Sequence, residues 1–130
     1  MVVQSDDSVL IRIARSDMGQ GNFTSLPMLV AEELECDWAR VRPEYAPVAE
    51  NLARKGVWGN MVTTNSVSVR RSHDYLRKAG AQARMMLIAE AAARWNCPAE
   101  ECRKTSGPRL RCRMFIGVAT GTRGAIHSRC

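Results

Sequence analysis

Two stretches of this chain hold the residue types from which an anion site can be built. They are Asp17-Met18-Gly19-Gln20-Gly21 and Thr63-Thr64-Asn65-Ser66-Val67-Ser68. Each stands directly ahead of a segment with helical patterning. The first N–H groups of a helix have no partner within it, and the helix dipole favours negative charge there. Two small, polar loops at helix starts can therefore clamp one phosphorylated ligand from both sides. The Gln20 amide both donates and accepts, which suits a phosphate or a heterocycle edge; its bland role is a local cap on the adjoining helix. Arg70 and Arg71 fall in the first turn after Ser66 and Ser68. Positive charge opposes the dipole there by about 0.3–1 kcal/mol each. Two such arginines make sense beside an anion, and are otherwise solvated and merely tolerated.

No other constellation competes. His73 has no carboxylate or second histidine at ligand spacing and reads as a surface residue. Cys97 and Cys102, with Cys112, Cys130 and His127 beyond them, follow no regular zinc spacing. No Ser-His-Asp or Cys-His arrangement and no catalytic pair of carboxylates is defensible. Neither a catalytic residue nor a protein metal ligand is assigned.

The elements that must position the two loops are legible. Val9 to Ala14 reads as a strand, apolar on both faces at Leu10 and Ile11, with Arg12 toward water or a loop. After the glycine loop, Phe23 to Cys36 reads as a helix, capped by Thr24 or Ser25, with Pro27 tolerated in its first turn. Leu26, Leu29, Val30 and Leu34 follow helical spacing toward a core. Asp37-Trp38 turns the chain into a second strand, Val41 to Ala46, and Pro43 places that strand at a sheet edge. Residues 47–64 read as a long irregular loop, a length that usually serves function. About Val67 to Trp95 is the strongest helix. Its stripe of Leu76, Ala79, Gly80, Ala83, Leu87, Ala91 and Trp95 permits a close helix contact. The fold class is α+β: strand, glycine loop, helix, strand, long loop, long helix.

Charge narrows the function. The chain has 130 residues and a formal charge of +6. All 13 acidic residues lie at or before Glu101, whereas 103–130 holds seven Lys or Arg residues and no acid. Residues 1–102 therefore carry 12 basic against 13 acidic groups, and that body has no charge-based case for nucleic acid. The expected organisation is a partial domain over 1–102 and a basic, non-domain tail over 103–130. The stretch 104–113 shows neither helical nor strand periodicity. Its Arg/Gly/Ser/Cys-heavy composition is that of a GC-rich gene read out of frame, or of a disordered basic tail. No apolar run approaches 18 residues, and the first residues lack the regions of a signal peptide, so the sequence shows neither a transmembrane nor a signal segment.

Ser16-Asp17-Met18-Gly19-Gln20-Gly21, Thr24 and Leu29-Val30-Ala31-Glu32-Glu33-Leu34 together resemble the molybdopterin-binding segment of the xanthine dehydrogenase and aldehyde oxidase family. The likeness is greatest to large subunits of the isoquinoline 1-oxidoreductase and membrane-bound aldehyde dehydrogenase kinds. It runs on through Tyr45-Ala46-Pro47, Thr63 to Arg70 and Leu76 to Ala81, reaching Trp95, Pro98 and Cys102. The resemblance implies that Gly19, Gln20 and Gly21 contact the pyranopterin and its phosphate. It further implies that Ser66 and Ser68 hydrogen-bond the terminal phosphate. The implied cofactor is molybdopterin, whose dithiolene holds the molybdenum, so no protein ligand to the metal is required. Iron–sulfur centres and haem belong to partner subunits. The implied partners are the remainder of the large subunit, an iron–sulfur small subunit and a cytochrome c subunit, with no nucleic acid.

The family's catalytic glutamate lies in a Gly-rich motif far C-terminal of this region, and nothing here corresponds to it. The resemblance stops near Cys102. The expected function is thus a fragment of a molybdenum-cofactor-dependent oxidoreductase, supplying part of the pyranopterin and phosphate site, truncated at both ends and inactive alone. Two other classes stand beside it: a small non-catalytic module for a phosphorylated ligand, and nucleic-acid binding through the basic tail.

Overall fold

The structure is a computed structural model that describes residues 1–104 and 110–112. Its centre is a βαβ unit. Strand β2 (Val9–Ile13) leads through the glycine loop into helix α1 (Asn22–Leu34) and back to strand β3 (Val41–Tyr45), which pairs parallel to β2 from Val9↔Val41 to Ile13↔Tyr45. A parallel pair needs a crossover of this kind, because a tight turn cannot reverse the chain twice. A short strand β1 (Val2–Val3), absent from the sequence reading, adds antiparallel to β2, giving the order β1-β2-β3. Pro43 accordingly lies on the edge strand, where its missing N–H costs no ladder bond on the open side.

Strand β2 alternates. Val9, Ile11 and Ile13 are almost fully buried, while Leu10 and Arg12 on the other face are half-buried. Arg12 is tied down by two carboxylates, Glu44 Oε1 at 2.5 Å and Glu50 Oε2 at 2.7 Å, rather than left to water. The buried face of β2 meets Leu26, Val30 and Leu34 of α1, one apolar residue per turn, and Leu76 completes the core from the long helix α3 (Ser68–Trp95). Helix α1 packs on the sheet and α3 packs on α1.

Helix α1 starts earlier than expected. Asn22 is its first residue and Gly21 its N-cap, so Thr24 and Ser25 do not cap it, and Ser25 Oγ instead donates to the Gly21 carbonyl. Pro27 is consequently the sixth helical residue, not a first-turn one, and offers no N–H to the Phe23 carbonyl. It is fully buried, and that packing offsets the lost bond. The expected irregular loop also contains a short helix, α2 (Val48–Ala53). Buried Asn51 of α2 organises the turn beyond this helix, donating to the Gly59 carbonyl and accepting from the Trp58 N–H, both at 2.8 Å.

The stripe on α3 is partly as expected. Leu76, Gly80 and Ala91 are buried and Ala83 packs against the core, but Ala79 and Leu87 are exposed. The buried line runs instead toward the helix start through Ser72 and Ser68. Strands β4 (Cys102–Lys104) and β5 (Leu110–Cys112) pair antiparallel, so structure enters a stretch in which the sequence shows no strand pattern. Three residues are too few for a period-two alternation to register. The rest of the expected tail, 105–109 and 113–130, lies outside the described residues. Among the described residues no helix is long and apolar enough to cross a membrane.

Gly80 is the contact point of the two helices. A Cβ there would stand 2.5 Å from the Val30 carbonyl oxygen and 3.0 Å from Glu33 Cβ. Alanine gains about 1 kcal/mol over glycine inside a helix, but overpacking against a backbone carbonyl costs about 1–3 kcal/mol. Gly80→Ala is therefore expected to lower stability in urea unfolding, and Gly80→Val to lower it further. An unchanged or raised midpoint for both would show that the helices do not meet there.

Candidate functional site

The glycine loop forms because β2 ends at Ile13 and α1 must start within nine residues on top of the sheet. Gly19 and Gly21 make the reversal, with φ of 100° and 82°. These are left-handed conformations that side chains rarely adopt. No heavy atom lies within 4 Å of a Cβ built at either, so backbone geometry rather than space selects glycine.

The donors of this loop are already engaged. Asp17 accepts from Phe23 N–H at 2.7 Å through one carboxylate oxygen, and from Gly19 and Gly21 N–H at 2.9 and 3.1 Å through the other. The chain supplies its own anion to the start of α1. These bonds hold the Asp17 carboxyl below the usual carboxylate range, the Phe23 N–H contributing most. Gln20 is likewise folded inward, donating through Nε2 to the Ser16 carbonyl at 2.9 Å and accepting from Met18 N–H at 2.5 Å. Tyr45 steadies the loop from β3: its hydroxyl accepts from Asp17 N–H, and its ring lies 5.0 Å from that of Phe23.

The start of α3 is of the opposite kind. Val67 is its N-cap, with no side-chain cap, and the first turn carries no acidic residue. Asn65 and Ser66 take two consecutive left-handed conformations, φ 50° and 53°, which non-glycine residues adopt at a cost. Ser66 is exposed, whereas Ser68 is the first helical residue and is buried. Arg70 and Arg71 are exposed and form no ion pair among the described residues, so that end of α3 stays electropositive. Of three buried side-chain polar atoms without a partner among the described residues, two belong to this neighbourhood: Thr63 Oγ1 and Arg15 Nε.

Arg15 joins the two stretches. It immediately precedes the glycine-loop residues, and its Nη1 donates to the Val62 carbonyl and to Asn60 Oδ1, ahead of Thr63. Sequence reasoning passed over Arg15 and the role of Asp17. Asp17 accepts from the first turn of α1 although it lies five residues ahead of Asn22, outside the position where a cap is sought. Nothing in the spacing marks Arg15, because its burial depends on the 47–62 segment folding over it. His73 Nδ1 lies 3.0 Å from Oδ1 of neighbouring Asp74. Cys97 Sγ and Cys102 Sγ lie 3.6 Å apart, and no group of residues that could hold a metal ion occurs among the described residues.

Because its folded-state carboxyl titrates below the unfolded one, Asp17 stabilises the fold above about pH 4, and the gain disappears as pH falls through the folded value. Asp17→Asn is expected to be less stable than the wild type at pH 7. The gap should narrow steadily on acidification below pH 4, as read from thermal midpoints across pH. A gap that is independent of pH would refute the charge-based account.

No protein-family model matches the chain. Curated proteins do. It is 40% identical over 106 residues to the beta subunit of isoquinoline 1-oxidoreductase from Brevundimonas diminuta, a match covering 81% of this chain and 14% of that protein. It is 33% identical over 100 residues to the membrane-bound aldehyde dehydrogenase [pyrroloquinoline-quinone] of Gluconacetobacter polyoxogenes, covering 77% and 12%. It is 34% identical over 107 residues to a nicotinate dehydrogenase subunit of Pseudomonas putida, covering 82% and 8%. The chain thus spans less than one-sixth of each of these relatives. Over the segment it shares with them, the chain is similar to a part of these three oxidoreductases, which are enzymes of the xanthine dehydrogenase and aldehyde oxidase family.

Proposed function

We propose that this chain supplies part of the pyranopterin and phosphate site of a molybdenum-dependent oxidoreductase acting on aldehydes or N-heterocycles. The observation that carries the reading is the difference between the two helix starts. That of α1 is filled by Asp17, while that of α3 has no acid, no side-chain cap and an unpartnered Thr63 hydroxyl beside it. The residues fit a phosphorylated heterocycle. Ser66 and Ser68 at the electropositive start of α3 take the phosphate. Gly19, Gln20 and Gly21, stiffened from beneath by Asp17, offer the pterin edge only what their internal bonds leave over, the loop carbonyls and the second N–H of the Gln20 amide. A phosphate placed on the glycine loop itself would meet the Asp17 carboxylate, so the division of roles follows from charge. Bound there, the cofactor would supply two-electron oxidation at carbon with water as the oxygen source. The chain's own residues bind and orient it.

In this reading the rest of the large subunit closes the pocket, and an iron–sulfur subunit and a cytochrome c subunit carry the electrons away. Two of the relatives are themselves named as subunits. The substrate is set by residues outside this segment.

The test uses an assembled large subunit that contains this segment. Gln20→Ala and the double variant Ser66→Ala/Ser68→Ala are expected to lose cofactor, by about 0.5–1.5 kcal/mol for a hydrogen bond to the neutral pterin edge and about 1.5–3 kcal/mol for each charge-assisted one to the phosphate. None of these side chains is a large apolar member of the core, so the cofactor-free melting temperature should move little. Molybdenum content measured beside apo stability separates the two effects. Wild-type molybdenum content in every variant would sink the two-loop site.

A further inference from the structure

Arg15 is the most buried arginine among the described residues, 8% exposed, and it has no carboxylate partner there. Arg12, Arg40, Arg42, Arg54, Arg77, Arg84 and Arg94 are all more exposed, yet each is ion-paired. Apart from Arg70 and Arg71, the solvent-facing guanidinium groups among the described residues have anions, whereas the one taken out of water has only the Val62 carbonyl and Asn60 Oδ1 on Nη1, with Nε unpartnered. A buried charge is costly unless paired and fully hydrogen-bonded. A guanidinium also presents its N–H groups as a planar fork that matches a phosphate or carboxylate. The position of this fork is informative. It grips the carbonyl of Val62, and the next residue, Thr63, carries the second unpartnered buried atom, a hydroxyl able to donate. Just beyond, the uncapped and acid-free start of α3 begins.

We propose that the Arg15 guanidinium is the fixed countercharge of a phosphate group seated ahead of α3, with the Thr63 hydroxyl as a second ligand beside Ser66 and Ser68. This rests on the reading of that loop as the phosphate end of the site, and adds its charge partner. Arg15 also links the two loops, since it holds the 60–63 segment while belonging to the chain that enters Ser16–Gly21. An anion bound to it would fix both at once. The loop that binds the pterin edge and the loop that binds the phosphate are then set in register by one side chain.

The probe is inorganic phosphate added to the full chain, with ³¹P line broadening as readout and chloride at equal ionic strength as control. Saturable broadening is expected for the wild type. Arg15→Met should weaken it about ten- to a hundredfold, the loss expected for charge-assisted hydrogen bonds. Arg15→Lys keeps the charge without the fork and should fall between. Thr63→Val, which leaves the buried cation in place, should weaken binding by a smaller factor and carries the test if Arg15→Met does not fold. Equal broadening in wild type, Arg15→Met and Thr63→Val would overturn the Arg15 assignment and leave the phosphate reading standing. Broadening lost only in Ser66→Ala/Ser68→Ala would do the same. Absence of saturable broadening in the wild type would overturn both.

Discussion

Helices α1 and α3 approach so closely at Gly80 that the Val30 carbonyl oxygen occupies the space a Cβ would need, and much else in the structure is conditional on that contact. With the backbones in touch, Leu76 one turn away reaches the core of Val9, Ile11, Ile13, Leu26, Val30 and Leu34. Glu33 and Arg77 come within ion-pair distance, as do Glu35 and Arg84 at 2.8 Å. These pairs are partly exposed and contribute about 1 kcal/mol or less each. They trim the orientation of α3, while apolar burial and the glycine contact set its distance. A helix of 28 residues anchored at one face in this way carries its own first turn to a defined place.

Electrostatics then divides the two helix starts. Both have the same backbone deficit of partners, and the chain settles one of them internally. Asp17 commits its carboxylate to three N–H groups of the glycine loop and α1, which makes that loop rigid and removes it as an anion receptor. Nothing comparable serves α3, where two arginines in the first turn add to the positive end of the dipole. Rigidity on one side and unmet positive charge on the other are complementary properties for a ligand with a flat heterocycle and a phosphate. The relatives that share this segment are several times longer than it.

Much was legible from residue order alone, for local reasons. Strand β2 and helices α1 and α3 have apolar periods that do not depend on their neighbours, and Pro43 announced an edge strand because a missing N–H has the same consequence in any sheet. The two motifs stood out by residue type, and the small residue at Gly80 already implied a close helix contact. What escaped was short or cooperative. Strand β1 has two residues and helix α2 has six, lengths at which periodicity says nothing. The cap of α1 came from Asp17, several residues upstream of the positions where a cap is sought.

The sequence by itself determined the principal helices and strands, which loops contain the phosphate-type residues, and the family they resemble. Tertiary structure decided their relations. It turned one of two similar loops into a self-satisfied turn and left the other open, because only the folded chain shows which N–H groups Asp17 reaches. It buried Arg15, a residue unremarkable in sequence, by folding the segment after α2 over the end of β2 until the Val62 carbonyl met its guanidinium. Burial and the pairing of charges are properties of distance between residues far apart in the chain. A linear pattern holds their identities and leaves their distances to the fold.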